Sequence, residues 1–196
     1  MQIILGLSVA DRPLQGKTAS ENAHRLLRDM LTDIRQESAA CTEISRDEHG
    51  RPFLKSCPGR IDFNLSHAGK YAVCAIAVAE HEEESPRVGV DLEIPHPRIS
   101  AKRIAERFFA EEEIAYLAEA DFREDLFLDL WTKKEAYLKF VGTGLSGGMK
   151  QVSILHAEDL DPAVRLIAYT VPEDPAAHLT LCIPSPATPP KTIRMY

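Results

Sequence analysis

"RVGVDLEIPHPRIS", residues 87–100, is where the chain changes character. Its first part is short, apolar and β-branched, and reads as a strand. Its second part carries two prolines and reads as a break near residues 95–100. On a strand, alternate side chains share a face, so Asp91 and Glu93 point one way and Val90 and Leu92 the other, toward a core. Before this stretch, residues 2–8 read as a buried strand and residues 20–37 as a helix capped by Ser20, with Ala23, Leu26, Leu27, Met30, Leu31 and Ile34 at helical spacing. "SRDEHGRPFLKSCPG" is rich in turn formers and reads as an irregular connection. "RIDFNLSH" and "KYAVCAIAVA" read as two strands, with residues 66–69 as the turn between them. The acidic "EHEEESP" reads as a solvated loop. After the break, "AKRIAERFFAEEEIAYLAEA" reads as one helix and "REDLFLDLWTKKEAYLKFVG" as a second, ending at Gly142. "KQVSIL", "VRLIAYTV" and "HLTLCIP" read as three strands, and the proline-rich "SPATPPKTIRMY" as an extended or unstructured tail. The class is α+β, with an N-terminal α+β half over residues 1–97 and a C-terminal one over 98–196. The element orders of the halves are loosely similar, without a clean sequence repeat.

Composition narrows the function. At 196 residues, 44% hydrophobic and 27% charged, the chain has material for a core. Its net charge of -7 argues against a general nucleic-acid binder, which needs a basic footprint. The apolar run at the start lacks a charged leader and is too short to span a membrane. Cys41, Cys57, Cys74 and Cys182 have no metal or redox spacing. Cys74 and Cys182 lie in strand-like runs and read as core thiols, and the expected compartment is the cytoplasm.

Four motifs carry chemistry. In "VGVDLEIP", two carboxylates side by side repel unless a cation or proton lies between them, and magnesium suits such oxygen ligands. The alternative is a polar strand face with basic neighbours. In "WTKKEAYLKFVGTGLS", Glu135 and Lys139 share a helix face, either as a surface ion pair or, with Lys134, as groups facing a phosphate. In "FNLSHAGKY", Ser66 and His67 sit beside a turn, where a histidine can donate to a phosphate oxygen or the serine can bond its own backbone. In "HGRPFL", Gly50 and Pro52 bracket Arg51, which reads as a displayed cation or simply an exposed arginine.

In this order the motifs resemble the Sfp-type 4′-phosphopantetheinyl transferases, over residues 12–146. The resemblance implies two similar α+β halves packed as a pseudo-dimer that works as a monomer, with the site in the cleft between them. It implies magnesium, or manganese, on Asp91, Glu93 and Glu135, bridging the pyrophosphate of the substrate coenzyme A. His67 would contact that pyrophosphate, Ser66 would help hold the nucleotide, and Arg51 would lie near the adenosine phosphates. Lys134 and Lys139 flank the metal-site glutamate, with Lys139 the better placed for phosphate and Glu135 the candidate base. The partner would be an apo acyl or peptidyl carrier protein of fatty-acid, polyketide or nonribosomal peptide synthesis. Two departures stand out. Ala68 occupies a position where the family commonly has a second serine. The basic stretch that grips the 3′-phosphate in longer members is short here, leaving Lys17, Arg25 or Arg28 to substitute. Lys102, Arg103 and Arg107, with Ile99 and Phe108 nearby, offer a basic and apolar face for an acidic carrier. Two rival readings are a non-catalytic relative that binds coenzyme A or a carrier, and a metal-dependent nuclease; against the latter, Glu135 and Lys139 lie on a helix.

Overall fold

Two strands are apolar on both faces, and the fold is built around them. Residues Gln2–Val9 (β1) and Tyr71–Val78 (β5) pair antiparallel, and β5 also pairs antiparallel with Ile61–Ala68 (β4). The computed structural model describes residues 1–34, 43–48, 50–55, 59–143, 148–155, 162–172 and 174–196. One face of the sheet takes the helix Gly16–Ile34 (α1), whose Ala23, Leu26, Leu27, Met30 and Leu31 pack on Ile4, Phe63, Cys74 and Ile76. The other face meets a second antiparallel sheet in the order β6-β8-β7: Gly89–Glu93 (β6), Val164–Val171 (β7) and Asp174–Pro184 (β8). Ile3, Leu5, Leu7, Val73 and Ala75 from the first sheet and Val90, Leu92, Leu179, Leu181 and Ile183 from the second form one core between them. Each such valine, leucine or isoleucine, fully buried, contributes roughly 1.5–3 kcal/mol.

The outer face of the second sheet is covered by Glu124–Val141 (α4), through Ala136, Tyr137 and Phe140 against Val164, Leu166 and Cys182. The layers therefore run α1, sheet, sheet, α4. Ala101–Phe108 (α2) and Glu111–Glu119 (α3) pack at one end of α4. Gly89 sets the spacing between α4 and β6. A Cβ there would lie 2.1 Å from the Ala136 carbonyl oxygen and 2.6 Å from the Phe140 nitrogen, so the helix backbone rests directly on the strand backbone.

Several elements differ from the sequence expectation. The first helix begins at Gly16, so Ser20 lies inside it and does not cap it; residues 35–37 lie outside the described residues. The stretch expected to be irregular holds a hairpin, Ile44–Arg46 (β2) with Pro52–Leu54 (β3), and its turn formers make the loop. The turn after β4 is Gly69–Lys70, with Gly69 at φ 57°, and this leaves Ser66 and His67 within the strand. The helix expected over 101–120 splits at Phe109, because that ring is pulled inward to stack on Phe127 at 5.5 Å and Trp131 at 6.1 Å. The strand expected at "KQVSIL" is instead a 3-10 turn, Met149–Gln151. The tail carries a short strand, Arg194–Met195 (β9), parallel to β1. Sheet membership changes between β5 and β6, ahead of residue 97, and β9 returns to the first sheet. Cys74 and Cys182 are buried and free, and burial pushes the Cys74 thiol far up; Cys41 and Cys57 lie outside the described residues.

Candidate active site

β4 and β6 are the facing edges of the two sheets, and side chains join them where a strand ladder would otherwise run. Alternation puts Asp62, Asn64 and Ser66 on one side of β4. The Val88 amide donates to Asp62 Oδ2 at 2.9 Å, and the Val90 amide donates to Asn64 Oδ1 at 3.1 Å. Ser66 Oγ donates to Asp91 Oδ1 at 2.8 Å. Ser66 thus fixes a carboxylate expected to hold metal.

Because α4 rests on Gly89, its last turns lie beside Asp91. Lys139 Nζ donates to Asp91 Oδ1 at 2.6 Å and to the Val90 carbonyl at 3.1 Å. Asp91 is buried, and its Oδ2 has no partner among the described residues. Glu93 accepts from Trp131 Nε1 at 3.2 Å. Burial, and then the charge of Asp91, pushes the Glu93 carboxyl up to about 7. Glu135 is raised to about 7 by the same two causes in the same order, with Lys139 opposing. The three carboxylates share one electrostatic environment that disfavours three negative charges. Among the described residues no three His, Cys, Asp or Glu side chains converge as a ready-made metal cage. The donors nevertheless fit magnesium: all are hard oxygens, Asp91 Oδ2 is buried without a partner among the described residues, and magnesium keeps waters and needs few protein ligands.

A cleft of about 320 Å³ opens between α1 and the end of α4, above β4. Ser20, His24, Arg46, Arg51, His67 and Lys139 line it, and no acidic side chain does so among the described residues. Arg46 and His24 were not singled out in the sequence, and Ser20 was read only as a helix cap. The "AHR" of α1 and the "SRDEHGR" hairpin carried the only signal, basic residues on elements that meet only in three dimensions.

Three expected site residues are placed differently. Lys134 does not face the cleft: it is fully buried, its Nζ bound to Glu113 Oε2 at 2.5 Å and to the Val152 carbonyl, while Glu113 Oε1 accepts from the Ile154 amide at 2.8 Å. Burial lowers the Lys134 pKa, and Glu113 opposes that. Arg51 reaches the cleft wall but is buried rather than displayed, paired with Asp62 at 2.6 Å and donating to the carbonyls of Val88 and Lys139. Burial raises the Asp62 pKa, and Arg51 opposes that. Arg25 lines a separate depression with Arg28 and donates to Asn22 Oδ1 at 2.8 Å. The structure brings together Ser66, Asp91, Glu93, Glu135 and Lys139, with His67 and Arg51 on the adjoining cleft.

A family model described as the 4′-phosphopantetheinyl transferase superfamily matches residues 87–182. The chain is 30% identical over 184 residues to 4′-phosphopantetheinyl transferase Sfp of Bacillus subtilis (strain 168), covering 86% of this chain and 78% of that one. It is 34% identical over 148 residues to 4′-phosphopantetheinyl transferase psf-1 of Bacillus pumilus, covering 71% of this chain and 59% of that one. A Synechocystis sp. relative is 40% identical over 92 residues, 46% of this chain and 35% of its own length, so the chain matches about a third of that protein. With identity to Sfp spread over most of both chains, and with the family match covering β6 and α4, which carry the carboxylates and Lys139, this chain belongs to the 4′-phosphopantetheinyl transferase superfamily.

Proposed function

We propose that the chain transfers the 4′-phosphopantetheine group of coenzyme A to a serine of an apo acyl or peptidyl carrier protein. The observation that carries this reading is the cleft with no acidic lining among the described residues, set directly beside the buried Asp91 and Glu135 and the half-buried Glu93 in a member of this superfamily. The carrier serine oxygen bonds to the phosphorus nearer pantetheine. The bond from that phosphorus to the bridging oxygen breaks, and adenosine 3′,5′-bisphosphate leaves. The serine proton passes to Glu135, directly or through water. Such transfers need positioning and charge neutralisation more than covalent help. Lys139, on the boundary between Asp91 and the cleft, neutralises charge on the phosphates, and His67 donates to a pyrophosphate oxygen. Asp91, Glu93 and Glu135 would hold magnesium or manganese, which supplies further neutralisation of the pyrophosphate when bound.

On α2, Lys102, Arg103 and Arg107 with the exposed Ile99 form the face offered to an acidic carrier. We also infer a cytoplasmic monomer of two α+β units, a compartment that suits free buried thiols at Cys74 and Cys182. No helix among the described residues is long and apolar enough to cross a membrane. The test is intact-mass spectrometry of an apo carrier incubated with coenzyme A and magnesium. Wild type should add one phosphopantetheine and Glu135→Gln almost none. Binding of coenzyme A without modification of any of several carriers would replace the transferase reading with a binding one.

A further inference from the structure

A guanidinium in the cleft wall holds an active-site lysine by its main chain. Arg51 is carried by the β2–β3 hairpin, which fixes its backbone from both sides. The Arg51 amide donates to Asp47 Oδ1 at 2.8 Å, and the Arg51 carbonyl accepts from the Asp47 amide at 3.0 Å. The Arg51 side chain is 7% exposed. Its Nη2 donates to Asp62 Oδ2 at 2.6 Å and to the Val88 carbonyl at 3.0 Å, and its Nη1 donates to the Lys139 carbonyl. Asp62 Oδ2 also accepts from the Val88 amide at 2.9 Å. Carboxylate, guanidinium and the residue that leads into β6 therefore form one closed unit.

Lys139 is thereby referred to the β6 main chain at both of its ends. Its Nζ sits on the Val90 carbonyl at 3.1 Å and on Asp91 at 2.6 Å, while its own carbonyl is linked through Arg51 to Val88, two residues before Val90. A lysine held by its ammonium alone can pivot on a flexible four-carbon stem. Held at its main chain as well, it has one placement. The family resemblance implies another use for Arg51, direct contact with the adenosine phosphates. That use asks for a disengaged guanidinium, whereas both N–H groups of Nη2 are committed and the charge faces Asp62. We propose that Arg51, although it lines the cleft, is a positioning residue: it acts on phosphoryl transfer through Lys139, by holding the last turn of α4 in place against β6, and not by contact with coenzyme A. This rests on the transferase reading above.

The experiment compares wild type with Arg51→Gln, Arg51→Lys and Asp62→Asn. In transfer to one apo carrier, all three variants should lose roughly tenfold to a hundredfold in kcat, as small misplacements at a reacting centre do, with KM for coenzyme A within about twofold of wild type. Arg51→Lys keeps the charge but not the fork that spans Asp62, Val88 and Lys139, so full kcat in that variant would overturn the proposal. Calorimetric binding of adenosine 3′,5′-bisphosphate gives the two uses of Arg51 different outcomes. A phosphate-contacting Arg51 would make Arg51→Gln bind at least about tenfold more weakly and Asp62→Asn, which frees the cation, more tightly. A positioning Arg51 leaves both affinities near wild type, and the first pattern would overturn it. A third measurement needs no turnover: acetylation by acetic anhydride, read by peptide mass spectrometry. Lys139 should label at least about threefold faster in Arg51→Gln and Asp62→Asn, while the fully buried Lys134 stays protected and so reports that the variants remain folded. Labelling of Lys139 at the wild-type rate would overturn the proposal whether or not any carrier is modified. Faster labelling with no carrier modified by wild type would support the tie and reject the transferase reading. Should Arg51→Gln fail to fold, Arg51→Lys and Asp62→Asn carry the same measurements.

Discussion

At Glu113 and Lys134 a carboxylate and an ammonium, both fully buried, meet at 2.5 Å. Neither can be removed alone without leaving a charge or a donor unmatched in the interior. Glu113→Ala should therefore lower stability by about 3–5 kcal/mol in guanidinium unfolding, while the double change Glu113→Leu with Lys134→Met should restore most of it. Lys139, five residues along α4, is rotated by about 140° and lands on β6. Lys139→Met should cut transfer sharply, read by the same mass assay on carrier, and lower stability as well, because the buried Asp91 loses its cation. Spacing in "KKEAYLK" favoured Lys139 over Lys134 for phosphate, but nothing local showed that Lys134 is buried. Their counter-charges, Glu113 and Asp91, lie 21 and 48 positions away in sequence. The carboxylates were legible because Asp91 and Glu93 declare their shared face by spacing alone. Arg51 was not, since its partner Asp62 sits on another strand and turns an apparent surface cation into a buried tie.

On the scale of elements, the end of α4 is held by two arginines from other parts of the chain. Arg87 donates to the carbonyls of Phe140 at 2.6 Å and Val141 at 2.8 Å, and Arg51 donates to that of Lys139. These are the acceptors a helix leaves open at its C-terminus, where positive charge is also favoured. Arg87→Ala should cost about 1–2 kcal/mol and fray the turn that carries Lys139, seen as faster amide exchange there. On β8, burial holds the His178 imidazole below its ordinary value, with Lys133 adding to the shift and Asp129 and Asp125 opposing it. The folded state thus binds this proton less tightly than the unfolded chain. The associated stability is complete above the unfolded value near 6.5 and is lost as pH falls through the lower folded one. His178→Gln should flatten the acid-side decline in Tm, measured by calorimetry from pH 7 downward. Most strands and α4 could be read from periodicity and from Gly142. The break between α2 and α3 could not, because local propensity runs through it. Stacking of Phe109 on Phe127 and Trp131, residues far along the chain, overrides that propensity.

For the whole molecule, the two sheets share one core, and their edges are tied by Asp62, Asn64 and Ser66. Asn64→Leu should loosen β4 from β6, raising KM for coenzyme A and lowering Tm together, because the buried Val90 amide loses its acceptor. Sequence alone suggested two α+β halves over residues 1–97 and 98–196. That β6 pairs with β8 in the second sheet was not legible, since strand partnership is a long-range property that no local pattern encodes. Gly89 has a mechanical consequence. Main chain seated on main chain is close to incompressible, as packed interiors are, whereas an open cleft is not. Hydrostatic pressure should thus act unequally on this protein. The groove of about 320 Å³ should narrow while the spacing of Asp91, Glu135 and Lys139 holds. KM for coenzyme A would respond to pressure well before kcat, and Gly89→Ala, by wedging helix from strand, would make kcat pressure-sensitive as well.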